Sequence, residues 1–136
     1  MSFKYDVFVS CCADENLEKV FKLTHALEQK GYKLFISKNE EPSKTSFEFK
    51  QSELFICCAT SNYCERDSCM VEFNNAVYTG KKRIFIIFEN FDDNLLRMRK
   101  LHKIMVRFAN QKFYRHEDTG GILNAIEVSV KKYLFK

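Results

Sequence analysis

The sequence predicts a three-layer α/β/α domain built on a central sheet of five parallel strands. Three observations carry that prediction. Apolar runs of strand length alternate along the chain with segments whose apolar residues recur at helical spacing, the pattern of a parallel sheet with helical crossovers. The runs LFICCA at 54–59 and RIFIIF at 83–88 are almost wholly apolar, as strands covered on both faces must be. A length of 136 residues with a 46% hydrophobic fraction suits one core, and so one domain over 1–136.

Each element has its own signal. YDVFVSC at 5–11 reads as the first strand. Residues 15–30 read as a helix with Leu17, Val20, Phe21, Thr24 and Leu27 on one stripe. Asp14 and Glu15 sit at its positive end, and Lys30-Gly31 provides a stop. YKLFIS at 32–37 is the second strand. The polar stretch 38–45 carries the only proline, and residues 46–52 are expected to make one or two helical turns at most.

The third strand, at 54–59, runs into a polar loop over 62–68. There Asp67 or Ser68 is expected to cap a helix at 69–79 that Gly80 closes. Residues 83–88 form the fourth strand. A basic, partly helical segment covers 93–105, and 112–114 is a short fifth strand. After Gly120-Gly121 a closing helix spans 122–134, with Ile122, Ile126, Val130 and Leu134 in register. Phe8, Phe35, Ile56 and Ile86 are the expected core residues of adjacent central strands.

Composition excludes several classes. A net charge of +4 is too mild to argue for nucleic acid. No apolar run approaches ~18 residues, so no transmembrane segment is expected. The opening MSFKYDVFVSCC has no long apolar core before a small-residue cleavage site, so it is not read as a signal peptide. The six cysteines are Cys11, Cys12, Cys57, Cys58, Cys64 and Cys69. Adjacent strand residues point to opposite faces, so each neighbouring pair straddles the sheet and reads as small hydrophobes in a reducing compartment. A zinc site from Cys64, Cys69 and a distant His matches no ligand spacing, and no metal is expected.

Five segments, in order, resemble one family. YDVFVS at 5–10 resembles the first signature box of Toll/interleukin-1 receptor (TIR) domains. GYKLFIS at 31–37, LFICCATSNYC at 54–64, Cys69-x-x-Glu72 at the next helix and GKKRIFIIFE at 80–89 follow that family's pattern and spacing. The resemblance implies a flavodoxin-like fold, a cytoplasmic location and signalling by homotypic TIR–TIR assembly in innate immunity or stress. Departures are equally visible. Ser68 stands where the family often has Trp, the second box is reduced to KNEEPSK, and GGILNAI stands near the place of the C-terminal Phe-Trp box.

The resemblance makes Glu72 the candidate catalytic carboxylate, because some TIR domains cleave NAD with a Glu at this helix position. A carboxylate beside an anomeric carbon that gains positive charge is the physical need. Ser10, Cys11, Ser68 and Cys69 are the expected lining of a ligand cleft at the carboxyl ends of the strands. Against catalysis, Ser68 cannot stack on a nucleobase, and Cys11-Cys12-Ala13 replaces an Arg pair that would hold phosphates. A Glu in a first helical turn is also ordinary capping chemistry. Cys11, Cys12 and Cys64 as nucleophiles gain no support from His25, His102 or His116.

The expected function is therefore a signalling interaction module. The alternative is an NAD hydrolase that depends on self-association, with NAD as substrate and no resident cofactor. The interaction surface is placed on the acidic loop with Glu40, Glu41 and Pro42 and on the basic residues Arg97, Arg99, Lys100 and Lys103, with Arg107 beyond. Opposite charges on these two elements suit head-to-tail packing. The basic segment also reads as a solvated helix face, or as a weak contact for an anionic membrane. It has no interleaved aromatic platform for nucleic acid. A weak homo-oligomer is expected, and Lys81-Lys82-Arg83 is read as the exposed approach to a strand.

Overall fold

The computed structural model describes residues 3–12, 17–38, 42–60, 63, 66–88 and 113–130. The described strands are β1 (Tyr5–Cys11), β2 (Leu34–Lys38), β3 (Ser52–Ala59), β4 (Lys82–Ile87) and β5 (Phe113–Arg115). The described helices are α1 (Leu17–Gln29), α2 (Pro42–Lys50), α3 (Asp67–Tyr78) and α4 (Thr119–Ser129). All four strand pairings are parallel, in the order β2-β1-β3-β4-β5. This is the five-stranded α/β/α arrangement read from the alternating periods.

Side-chain alternation divides the core into two layers. Phe8, Phe55, Cys57 and Phe85 face α2 and α3, where Phe49, Cys69, Phe73 and Ala76 meet them. Val7, Val9, Ile56, Cys58 and Ile86 face α1 and α4, where Val20, Leu23, Leu27, Ile122 and Ile126 meet them. Cys57 and Cys58 thus fall in different layers, as do Cys11 and Cys12. These four and Cys69 are free and buried; Cys64 lies outside the described residues.

Two helices end on glycines that the local geometry requires. Gly31 has φ 91° and Gly80 φ 68°, a region open to glycine at no steric cost. At each, two successive N–H groups return to the helix. Gly31 and Tyr32 donate to Glu28 and Leu27, and Gly80 and Lys81 donate to Val77 and Ala76. This is the Schellman closure that satisfies the last carbonyls, and Tyr32 joins Leu27 in the same apolar layer.

Several expectations need correction. Helix α2 begins at Pro42 and runs nine residues, longer than one or two turns; proline suits a first helical position because its missing N–H is unpaired there anyway. Helix α3 starts at Asp67 with Arg66 as N-cap and no side-chain cap bond, so neither Asp67 nor Ser68 caps it. Helix α4 starts at Thr119, three residues early, because the Asp118 carboxylate accepts the Gly121 N–H at 3.0 Å.

On α1, Phe21 is 42% exposed while Leu23 is buried, so the buried stripe lies to one side of the expected one. Strand β2 is a sheet edge, which leaves Phe35 only partly buried, unlike Phe8, Ile56 and Ile86. Lys81 is half-buried, its ammonium 4.8 Å from the Phe49 ring centre. Glu40, Glu41, residues 93–105 and Leu134 lie outside the described residues, as do Asp14, Glu15 and His102.

Candidate functional site

Glu72 lies on the buried stripe of α3 with Cys69, Phe73 and Ala76, the i, i+3, i+4 spacing that faces a sheet. A carboxylate at such a core position requires hydrogen-bond partners, because burying it bare is costly. The parallel register supplies them. Ser10 of β1 is paired with Ser37 of β2, so two hydroxyls stand side by side on the α3 face at the carboxyl ends of the strands. Ser10 Oγ donates to Glu72 Oε1 at 2.7 Å and Ser37 Oγ to Oε2 at 2.6 Å. Thr45 Oγ1, from α2, reaches Oε2 at 3.4 Å.

Behind Ser10 stands Tyr63, fully buried, its hydroxyl 2.6 Å from Ser10 Oγ. Since the Ser10 proton is committed to Glu72, the phenol is the donor. Burial first, then Cys57, Cys69 and Glu72, push the Tyr63 hydroxyl well above the usual phenol range, against the Ser10 hydrogen bond. The phenol therefore keeps its proton. The result is a chain of hydroxyls, Tyr63 to Ser10 to Glu72, with Ser37 and Thr45 on the other oxygen. Both oxygens of the carboxyl have hydroxyl partners. Glu72 is 5% exposed.

The expected lining residues are only partly brought together. Ser10 touches Glu72. Cys11 points into the opposite layer, its thiol 3.4 Å from the Ser37 carbonyl. Cys69 is buried against Cys12 and the Cys11 carbonyl. Burial first, then Cys12, Glu72 and Cys11, push its thiol up to about 12, against a hydrogen bond from Ser68. That is a thiol, not a nucleophile, near neutral pH. Ser68 is half-buried in the first turn of α3. A cleft of about 230 Å³ opens instead between α2 and α3, with Thr45, Ser46, Phe49 and Lys50 on one wall and Glu72, Asn75 and Thr79 on the other. Among the described residues, no group of three or more His, Cys, Asp or Glu side chains is placed to hold a metal ion. Among them too, no helix is long and apolar enough to cross a membrane.

Comparison with known proteins decides the family. A family model described as the TIR domain matches residues 7–118. The chain belongs to the TIR domain family. Solved TIR domains share its fold. One set comes from the activated Roq1 resistosome that directly recognises the pathogen effector XopQ. The likeness has a TM-score of 0.64 and 16% identity over 92% of this chain and 96% of that one. Another is the TIR domain of the Toll-related receptor TRR-2 from Hydra magnipapillata, with a TM-score of 0.63 and 15% identity over 91% and 99% of the two chains. At such identities the likeness establishes the fold. Among curated proteins no sequence matches this chain.

Within this TIR domain, sequence reasoning found Glu72 and Ser10 but missed Ser37, Thr45 and Tyr63. Ser37 had a signal, a polar residue closing an apolar strand. Thr45 stands one helical turn before the core residue Phe49. Tyr63, in a polar loop, had none, because only the fold brings it beneath Ser10.

Proposed function

We propose that this TIR domain is a signalling module that works by assembling with other TIR domains, and that Glu72 serves it as a structural brace. The observation that carries this reading is the occupancy of the carboxylate. Ser10 and Ser37 take one oxygen each, Thr45 approaches the second, and the group is 5% exposed. Hydroxyls of the chain itself hold both oxygens, which favours a bracing role over contact with a substrate. The missing aromatic at Ser68 and the missing basic pair at Cys11-Cys12-Ala13 agree with that reading. The family and two of its structural relatives, an effector-recognising resistosome and a Toll-related receptor, favour innate-immune or stress signalling in the cytoplasm.

The second reading, an NAD hydrolase activated by self-association, has one observation in its favour: Glu72 contributes to the wall of the α2–α3 cleft. The deciding experiment is an NAD-consumption assay at high protein concentration, with wild type beside Glu72→Ala. The expected result is no nicotinamide release above the Glu72→Ala background. Robust release that disappears in a Glu72→Ala domain that remains folded installs the hydrolase.

A further inference from the structure

A parallel sheet brings to one rim whatever residues precede its strands. Here lysines enter four of them: Lys4 leads into β1, Lys33 into β2, Lys50-Gln51 into β3 and Lys81 into β4, whose first residue is Lys82. Aromatic rings share this amino rim. The Lys4 ammonium stands 5.6 Å from the Tyr5 ring centre and 5.5 Å from that of Phe47 on α2, and the Lys33 ammonium stands 5.8 Å from that of Tyr5. Lys81 stands between Phe3, at 5.7 Å, and Phe49, at 4.8 Å. Phe3 is 49% and Phe47 54% exposed, and Lys4, Lys33 and Lys50 are exposed as well.

We propose that this amino rim docks on an anionic membrane surface. The half-exposed phenylalanines enter the headgroup layer, and the lysines meet the phosphates and carboxylates of the lipids. The proposal goes beyond the assembly reading and does not depend on it. It also leaves Glu72 aside, since that residue stands at the carboxyl ends of the strands.

Charge and geometry choose this occupant. Among the described residues the rim sets Lys4, Lys33, Lys50, Lys81 and Lys82 against Asp6, Glu48 and Glu53. Two of these carboxylates are engaged within the chain. Asp6 accepts the Lys33 backbone N–H at 2.7 Å, and Glu53 pairs with Lys82 at 3.7 Å. Lys81 is half-buried and donates to the Ser52 carbonyl, so it braces the rim. Lys4, Lys33 and Lys50 are left for outward contact. Each lysine close to an anionic leaflet strengthens binding about fivefold. A nucleic acid is the other polyanion to weigh. It needs open ring faces on which bases stack, and here ammoniums already stand over the rings of Phe3, Tyr5 and Phe47. A bilayer asks for no ring face. It takes up apolar bulk set among cations, as at interfacial segments whose lysine stems lie along apolar surface.

The test is co-sedimentation of the domain with vesicles, of phosphatidylcholine alone and of phosphatidylcholine with phosphatidylserine at about two to one. Wild type stands beside Lys4→Glu with Lys33→Glu, and beside Phe3→Ser with Phe47→Ser. Lys19→Glu with Lys22→Glu, exposed on α1, is a control of equal charge change. Partitioning is compared between variants whose thermal melts match wild type, and the lipid and salt dependence of wild type is read without them. Wild type is expected to bind the anionic vesicles and not the neutral ones, less so as salt rises. The lysine reversal at the rim should lower partitioning about thirtyfold or more, the phenylalanine pair about tenfold, and the control about threefold at most. Wild type that binds neither vesicle, or both alike, overturns the proposal. So does a folded rim variant that binds like wild type, or a control that falls as far as the rim reversal. Wild type that binds a labelled oligothymidylate and leaves the anionic vesicles unbound gives the rim to nucleic acid and overturns it too.

Discussion

At the scale of single residues, Glu72 is where structure and chemistry are hardest to separate. Removing it strands the Ser10 and Ser37 hydroxyls in the core, and a buried hydroxyl left without its partner costs about 1–3 kcal/mol. Glu72→Ala is expected to lower unfolding stability in urea by at least ~2 kcal/mol, and Glu72→Gln by less, because the amide keeps one acceptor. A Glu72→Ala domain as stable as wild type would show that the hydroxyls find other partners and that the brace is not one. Any activity lost in Glu72→Ala is therefore interpretable only beside this melt. The cysteines give a second prediction. Cys69, with its thiol pushed up to about 12, and Cys58, raised well above its usual range by burial first and then by Cys11, Cys57 and Cys69, should resist iodoacetamide in the native domain. All six thiols should label under denaturing, non-reducing conditions. Fewer than six labels in fresh protein would reveal a disulfide.

At the scale of elements, the edge position of β2 revises what a core substitution should cost. Phe8 is fully buried among Phe35, Phe49 and Phe55, with ring centres 5.4, 5.6 and 5.8 Å away. Phe8→Ala is expected to cost roughly 3–5 kcal/mol, and Phe35→Ala, at a partly buried position, roughly half of that. Equal losses in denaturant melts would contradict an edge strand. The turn between β5 and α4 carries a pH dependence. His116 stacks on Phe88 with ring centres 5.3 Å apart. Burial first, reinforced by Lys19, Arg115 and Lys22 and opposed by Glu117, lowers its pKa from 6.5. The folded domain then binds this proton less readily than the unfolded chain. The stabilisation is complete above pH about 6.5 and declines as pH falls through the lowered value. His116→Phe should flatten this part of the stability–pH curve; an unchanged slope assigns it to other groups.

At the scale of the whole molecule, assembly is the question. The charged loop with Glu40 and Glu41 and the basic segment with Arg97 and Arg99 are proposed to meet head to tail. Association through them should weaken with salt, because exposed charges are screened within ~8 Å at physiological ionic strength. Glu40→Lys with Glu41→Lys should reduce self-association, and adding Arg97→Glu with Arg99→Glu should partly restore it. Restoration separates direct contact from general damage, which single changes cannot do. Sedimentation of these variants at two salt concentrations is the measurement, and indifference to both reversals removes this contact.

The sequence by itself determined the layer order. Periods of two and 3.6 are local properties, and two wholly apolar strand runs admit no solvent-facing sheet. The succession of strands and helices along the chain, the split of the cysteine pairs between layers and the glycine stops of α1 and α3 follow from that local information, whereas the spatial order β2-β1-β3-β4-β5 does not. The start and length of the nine-residue α2, expected as one or two turns over 46–52, were not legible because its polar sequence has little helical periodicity and its support comes from packing Phe49 against β1 and β3. Tertiary structure alone decided the surroundings of Glu72. A helix pattern places a Glu in a buried stripe but cannot say what waits across from it. The parallel pairing of Ser10 with Ser37, the arrival of Thr45 from α2 and the burial of Tyr63 under Ser10 join residues up to 62 positions apart. Contacts at that separation are set by how the strands line up and how the helices cover them, and no local window of sequence records either.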